Sequence, residues 1–580
     1  MATFRMVVRA LFGALCAAAL VCVWSLQEVG RLTLHAAFVA NLVLVPCLAV
    51  ALLRPGRGFW PRRMLEGRRE LAVLLAILAL GAAARTAWIG YFPPGDGQLW
   101  EETQTGKVAL ESIRYGSLDP YFPATNLLGE LGFRVLGVSL IGLRLPFVAI
   151  AIASVAVFFV AARLLLRGIV SALLVSFLFA ANSFLAGSSR VALETMSPIF
   201  TECLALAAAF YAATRRSAAG FAFAGLTAGL LLLEYFSYKL LPPLLFLFVA
   251  LALIEEPGGS FCNRHLTRRN WSAWRVHSGQ LAIFVIFALA AMAPILISDP
   301  TRSHEFFMEG WKRQQVGIAS ETQGVSLWRA IELACNRVRD SASFVFLRGG
   351  NDDILPASRG ILDAFTGVVG LAAIAYCALF ARRCAAKSFL AATAVLTVVL
   401  GGALVGNPAR YRLAPLVPIY LLAVGVLIDD ALAARRATPR FLALVVAVTV
   451  AVGSVNLSIL GAAAQDRGVR REFYDLNLLL AQEIARVQAA DPNATIALVS
   501  DRDFLANSND YEFLYDRQRV RVVPMAQAVG ADATHVVAHD DFAVQLKALR
   551  DIPLVDCRSW RAALGSAQLL SCRVERGLSH

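Results

Sequence analysis

Up to about residue 465 the chain alternates long apolar runs with short polar breaks, and this alternation leaves few folds open. An α-helix needs about 20 apolar residues to cross a bilayer. Runs of that kind centre on Cys16, Leu44, Ile77, Ser154, Phe177, Ala207, Ala228, Phe248, Phe287, Gly370, Thr397, Val424 and Val448, which predicts about thirteen spans, give or take one or two. Composition agrees. Of the 580 residues, 58% are hydrophobic and only 16% charged, the balance of a membrane protein rather than a soluble enzyme. The first run, Val8 to Trp24, resembles a secretion signal, but it lacks a small-x-small cleavage site and is read as a retained helix.

The net charge of +13 would suit nucleic acid if it formed one surface, but it does not. The cations fall in every second break: Arg54, Arg57, Arg62, Arg63, Arg68 and Arg69, then Arg163 with Arg167, Arg215 with Arg216, the stretch "NRHLTRRNWSAWR", and finally Arg382, Arg383, Lys387, Arg435, Arg436 and Arg440. Loops retained in the cytoplasm show this bias. Nucleic acid is therefore not an expected partner, and membrane lipids are. The other breaks, at about 93–138, 186–197, 299–360 and 406–412, and the tail after about 464, fall on the extracytoplasmic side of an inner or plasma membrane.

The tail reads as a small α/β domain. A helix runs from about Arg471 to Gln488, followed by the β-rich stretches "ATIALVS", "RVRVVPM", "THVVAH", "IPLVDC" and "QLLSCRV". The domain plan is therefore a two-helix membrane extension over 1–70, a transmembrane catalytic domain over 71–464, and an extracytoplasmic α/β domain over 465–580. Cys16, Cys22, Cys47, Cys203 and Cys377 lie in apolar runs and read as small core residues. Cys557 and Cys572, in the tail, read as a disulfide or as two free thiols. The ten cysteines show no metal-ligand spacing, and no cofactor is called for. A divalent cation at Asp352 and Asp353 is left open beside their reading as solvated acids.

The stretch "PPGDGQLWEETQTG" at Pro93–Gly106 places Asp96, Glu101 and Glu102 directly after an apolar run. A surface helix follows and ends at Gly116. "FRVLG" and "LIGLRLP" then lead into the next run, with Gly137, Ser139, Arg144 and Pro146. Further on come "SSRVALETMSPIF", with Arg190 and Glu194; "AGLLLLEYFSYKLLP", with Glu234, Tyr235, Tyr238 and Lys239; "GGNDDILPASRGILDAFTGVVGL"; and "NPARYRLAPLVPIYLLAVG", with Arg410 and Arg412. In this order and spacing the stretches resemble the polyprenyl-phosphate-sugar glycosyltransferases of the GT-C fold, above all the family-39 protein mannosyltransferases and the lipid A aminoarabinose transferases. The resemblance covers roughly residues 86–426.

The resemblance implies an all-α polytopic fold and an inverting sugar transfer from a polyprenyl-phosphate donor to a lipid, glycan or protein acceptor outside the membrane. Glu101 and Glu102 fall on the family's acidic pair. Glu194 falls on its second acidic position, with Asp96 a substitute base in the turn. Arg190, Lys239, Tyr235, Tyr238, Arg410, Arg412 and Trp100 would hold the substrate. The chain departs from the pattern in having Glu where Asp is usual at 101 and 194, and "DPYFP" in place of a Lys-Pro-Pro stretch. Plainer readings stand beside these: a hydrated loop for the acidic pair, a turn former for Asp96, a helix-end ion pair for Arg190 and Glu194, a snorkelling Lys239, and interface anchors for Arg410 and Arg412. A transporter or flippase of a lipid-linked glycan is the alternative function. It would place ionisable groups near span midplanes, and few are found there.

Overall fold

The structure is a computed structural model. It describes residues 2–52, 67–87, 89, 98–116, 122–193, 196–254, 272–298, 324–347, 360–403, 410–434, 438–465, 472–499, 514–523, 533–539, 554–561 and 568–574. The apolar runs become helices. α1 (Ala2–Glu28) and α2 (Leu34–Leu52) form a hairpin. The two shorter helices α4 (Gln98–Tyr115) and α5 (Pro123–Leu136) separate α3 (Arg68–Thr86) from α6 (Leu140–Leu165). α7 (Ile169–Ala181), α8 (Ser183–Ser188), α9 (Pro198–Arg215), α10 (Ala218–Leu232), α11 (Leu241–Ile254) and α12 (Ser272–Ser298) follow. α13 (Leu327–Phe346) precedes α14 (Ala364–Leu379), α15 (Ala385–Ala403), α16 (Leu416–Ala434) and α17 (Pro439–Gln465).

Each of the thirteen expected centres lies on one of these helices. The number of spans is a separate matter. Seven helical segments among the described residues are long and apolar enough to cross a bilayer, while those at Ile169–Ala181, Ala218–Leu232, Ala364–Leu379 and Ala385–Gly401 are shorter. The 13 residues of α7 rise only about 20 Å, against a hydrocarbon core of about 30 Å. α3 carries Arg68, Arg69, Glu70 and Arg85, and α9 carries Glu202. Local apolarity located the helices but did not set their lengths. The break read as the loop 299–360 also contains a helix, α13, whose Leu327 and Trp328 are exposed.

One core unites α6, α7, α9, α11, α15 and α16. In it Phe158 stacks on Phe179 with centroids 4.4 Å apart. α10 crosses α12 so closely that a Cβ on Gly225 would lie 2.0 Å from the Phe284 carbonyl oxygen, so this helix pair requires a small residue at that position. Cys16, Cys203 and Cys377 are buried as expected. Cys22 is exposed and Cys47 half-buried, because in a bundle of this kind an apolar residue can face outward.

At one end of the bundle Asp429 accepts from the backbone N–H groups of Arg167 at 3.0 Å and Gly168 at 2.8 Å. Asp430 pairs with Arg167 at 2.6 Å and Lys387 at 2.7 Å, and accepts from Tyr376 at 2.7 Å. Cations of the arginine-rich breaks are thus tied to α16.

α18 (Glu472–Ala490) opens the tail, and the five expected strands follow: β1 (Ile496–Val499), β2 (Val520–Val523), β3 (His535–His539), β4 (Leu554–Arg561) and β5 (Gln568–Val574). Their order is β2-β1-β3-β5-β4. β1 runs parallel to β2 and β3, and β5 runs antiparallel to β3 and β4. Period-two alternation sends Ile496 and Leu498 toward Leu480, Ile484 and Val487 of α18, and Ala497 and Val499 into a second cluster. Cys557 and Cys572 are joined by a disulfide between β4 and β5.

Candidate active site

Chain direction alternates along the bundle. The C-terminal ends of α3 and α10 therefore lie at the same end as the starts of α6, α9 and α16, opposite the Asp429–Asp430 cluster. The breaks at this site end carry most of the residues singled out in the sequence, and their contacts with one another fix the geometry.

α4 stops at Gly116 as expected. This glycine has φ +64°, a left-handed conformation that favours glycine, and its N–H reaches the Ser112 carbonyl at 2.8 Å. Glu102, in the first turns of the helix, is fully buried. Arg144 near the start of α6 grips both of its oxygens, Nε to Oε1 at 2.7 Å and Nη2 to Oε2 at 2.8 Å. The Ala192 N–H adds a third bond to Oε1 at 3.2 Å, and Arg144 also donates to the Ile89 carbonyl at 2.8 Å. A buried carboxylate requires such pairing, and the planar fork of arginine supplies it in two parallel bonds. The pair fixes α4 against α6 and against the segment before α9.

Arg190 is buried and donates to the Ala84 carbonyl. Arg85 donates to the carbonyls of Gly81 at 3.2 Å and Ala180 at 2.9 Å. Through Ala84 and Ala180 the two guanidinium groups reach the last turns of α3 and α7, where carbonyls lack partners within the helix and positive charge is favoured.

A second cluster surrounds the exit of α10. Thr201 donates to Glu234 at 3.3 Å. Glu234, Glu202 and the fully buried Tyr238 lie together, with Lys239 within electrostatic reach of Glu234. Glu202 is 0% exposed, and neither of its oxygens has a hydrogen-bond partner. Sequence reading passed over it because it lies inside the apolar run centred on Ala207. An ionisable residue within such a run was itself the available signal. Arg412 lies over the rings of Phe236 at 5.6 Å and Tyr411 at 5.5 Å, a cation–π arrangement. Tyr235 packs against Phe236, Tyr411 and Phe122 at 4.6, 6.2 and 6.1 Å. The two clusters are joined through α5: Phe122 touches Tyr235, and Thr125 shares a 2.7 Å hydrogen bond with Ser197 at the start of α9.

Glu130 on α5 braces the site from behind. It accepts from Ser112 of α4 at 2.7 Å and Arg134 at 2.7 Å, and contacts His35 of α2 at 2.7 Å. Burial alone would raise its carboxyl, but the hydrogen bonds from Ser112 and Arg134, and His35, outweigh that and hold it below the usual range. Its folded value lies under the unfolded value of about 4.3. The stability it contributes is therefore complete above that pH and is lost as pH falls through the folded value. Thermal unfolding of wild type and Glu130→Gln should show the variant less stable at pH 7 by roughly 1.5–3 kcal/mol. The gap should shrink below about pH 4.3. A constant gap down to pH 3 would contradict this.

Tyr235, Tyr238, Lys239, Arg190, Arg412 and Glu102 are thus gathered at one end of the bundle. Asp96, Glu194, Asp352 and Asp353 lie outside the described residues. For Trp100 and Glu101 on α4, and for Arg410 in the 3-10 turn Arg410–Leu413, only the backbone is described.

No protein-family model matches the chain, and no curated protein does. Solved structures do. ArnT from Cupriavidus metallidurans, bound to undecaprenyl phosphate, superposes with a TM-score of 0.50 at 15% identity, over 87% of this chain and 97% of that one. The oligosaccharyltransferase AglB from Archaeoglobus fulgidus, in complex with an inhibitory peptide and a dolichol-phosphate, gives 0.46 at 14% identity, over 81% and 69%. The superposition on ArnT shows the architecture. With its apolar helices, this chain is a multi-pass membrane protein of the GT-C fold, carrying a small C-terminal sheet domain.

Proposed function

We propose that the protein is a glycosyltransferase that moves a sugar from a polyprenyl-phosphate donor to an acceptor hydroxyl at the extracytoplasmic face of the inner membrane. The observation that carries this reading is the gathering, at one end of the bundle, of the acid-bearing α4 and the turns that hold Lys239, Arg190 and Arg412. The polyprenyl tail would remain in the bilayer and place the anomeric carbon at that end. The acceptor oxygen attacks the anomeric carbon and the bond from that carbon to the phosphate oxygen breaks. The acceptor proton passes to a carboxylate, and polyprenyl phosphate leaves as an anion. A single displacement inverts the configuration.

The cations stabilise the charge that grows on the phosphate, and the rings of Tyr235, Phe236 and Tyr411 line its approach. Both oxygens of Glu102 are held by Arg144, so in this reading Glu102 positions α4. The base is then Asp96, Glu101 or Glu194. The disulfide Cys557–Cys572 supports a tail outside the cytoplasm, since such bonds persist in oxidising compartments. The test is to incubate the reconstituted protein with undecaprenyl-phosphate sugars and acceptor-bearing envelope lipids. Labelled product with inverted linkage is expected. Flipping of a labelled lipid-linked glycan across the vesicle, with no transfer product, would replace the reading with a flippase.

A further inference from the structure

A cleft of about 760 Å³ separates α4 from the C-terminal domain, between the helix face bearing Lys107, Glu111 and Arg114 and the elements α18 and 514–518. It is distinct from the site above. At 3.6 residues per turn these three positions lie roughly 120–180° around α4 from Glu102, which faces α6. All three are exposed, and among the described residues none makes an ion pair or a side-chain hydrogen bond. Core packing between Ala481 of α18, Leu514 and Tyr515 on one side and Leu110 and Ile113 of α4 on the other holds the two walls together.

The chemistry of the lining narrows the occupant. Lys107 and Arg114 stand beside Glu111, while Asp516 is paired with Arg519 at 3.2 Å, so the cleft keeps only a slight positive balance, too little for a polyanion and of the wrong sign for a polycation. Its volume falls in the roughly 300–1,000 Å³ range of small-ligand sites, and its lining mixes charged and amide groups with Leu110, Val138 and Leu514, unlike the all-apolar wall of a cavity for a lipid tail. Donors and acceptors stand beside the ring of Tyr515, an arrangement that matches a pyranose, with hydroxyls at its rim and an apolar face. Among the described residues the walls are two helices and a turn, with no strand edge for an extended peptide. Val138 lines the cleft and is 45% exposed, next to the exposed Val135, Leu136 and Ile141. Such an apolar rim suits an opening beside the bilayer.

We propose that this cleft binds the carbohydrate part of the acceptor. The role as acceptor rests on the glycosyltransferase reading; the binding of carbohydrate does not. From Arg114 to Glu102 is roughly 18 Å along the axis of α4, so a bound chain of a few sugar units spans from the cleft toward the acidic end of the helix.

The test uses the full chain in lipid nanodiscs and an array of bacterial envelope oligosaccharides, presented both free and lipid-anchored. Wild type should retain a subset of the glycans. The triple variant Lys107→Ala, Glu111→Ala, Arg114→Ala should lose at least tenfold of that retention while binding undecaprenyl phosphate as wild type does. Stronger retention of the anchored forms would identify a membrane-borne acceptor, and equal retention a soluble one; both support the proposal. No glycan retention by wild type, or the same profile in the variant, would overturn it. Failure of the glycosyltransferase reading would look different: glycans still retained through the cleft, but no undecaprenyl phosphate bound and no sugar transferred.

Discussion

Replacing Lys239 by methionine is expected to slow sugar transfer by about 10²–10³-fold, the cost of losing one positioned charge on a developing anion. Methionine keeps an apolar stem of similar length but takes the cation away from the buried Glu234, so the unfolding temperature is measured alongside and the rate is read on folded protein. The loss should fall on kcat with the donor KM little changed, because the phosphate gains charge only as its bond to the sugar breaks. Arg412 should behave differently. Its guanidinium lies over Phe236 and Tyr411, a site that a lysine fills poorly, so Arg412→Lys should lose activity although charge is retained. Glu234→Gln should have a smaller effect than Lys239→Met, since Glu234 would act only through the lysine beside it. Wild-type rates in Lys239→Met would remove this lysine from the phosphate site. A change confined to KM would reduce its role to ground-state binding.

Reading the sequence one segment at a time recovers what depends on short-range pattern. The helical stop at Gly116, the helix from Glu472 and the five tail strands all follow from local periodicity and turn chemistry, and the structure places them within a few residues. Pairing through space is another matter. Arg144 is visible as part of "LIGLRLP", yet nothing local reveals that it holds Glu102 from 42 positions away. Glu202 is hidden by the apolar residues around it, which carry the span reading for the whole run. Apolar runs also overstate their reach, because a run that packs against neighbouring helices is as apolar as one that crosses a bilayer. α10 shows this: it is 15 residues long and packed closely on α12. The cleft beside α4 could not be read at all. Its two walls come from stretches more than 350 residues apart, and its polar side chains read individually as solvated surface.

The pair Glu102–Arg144 allows a decisive separation of structure from chemistry. Glu102→Ala or Arg144→Ala alone leaves a buried charge without its partner and should destabilise the protein by roughly 3–5 kcal/mol, seen as a large fall in unfolding temperature or as lost expression. Replacing both at once, Glu102→Leu with Arg144→Met, removes the two charges together and refills the space. The double variant should therefore recover most of the stability, and its cost should be well below the sum of the two single changes. Activity then decides between two roles for Glu102. If it holds α4 in place, an apolar pair of similar volume holds it nearly as well, and transfer should survive within about tenfold, the scale of a small misplacement of the reacting groups. If it is the base, the double variant should be stable and inactive, and Glu102→Gln should lose transfer out of proportion to its loss of stability. The geometry favours the first outcome. Two bonds from Arg144 and one from the Ala192 N–H already occupy the carboxylate, and no part of the residue is exposed to an approaching hydroxyl.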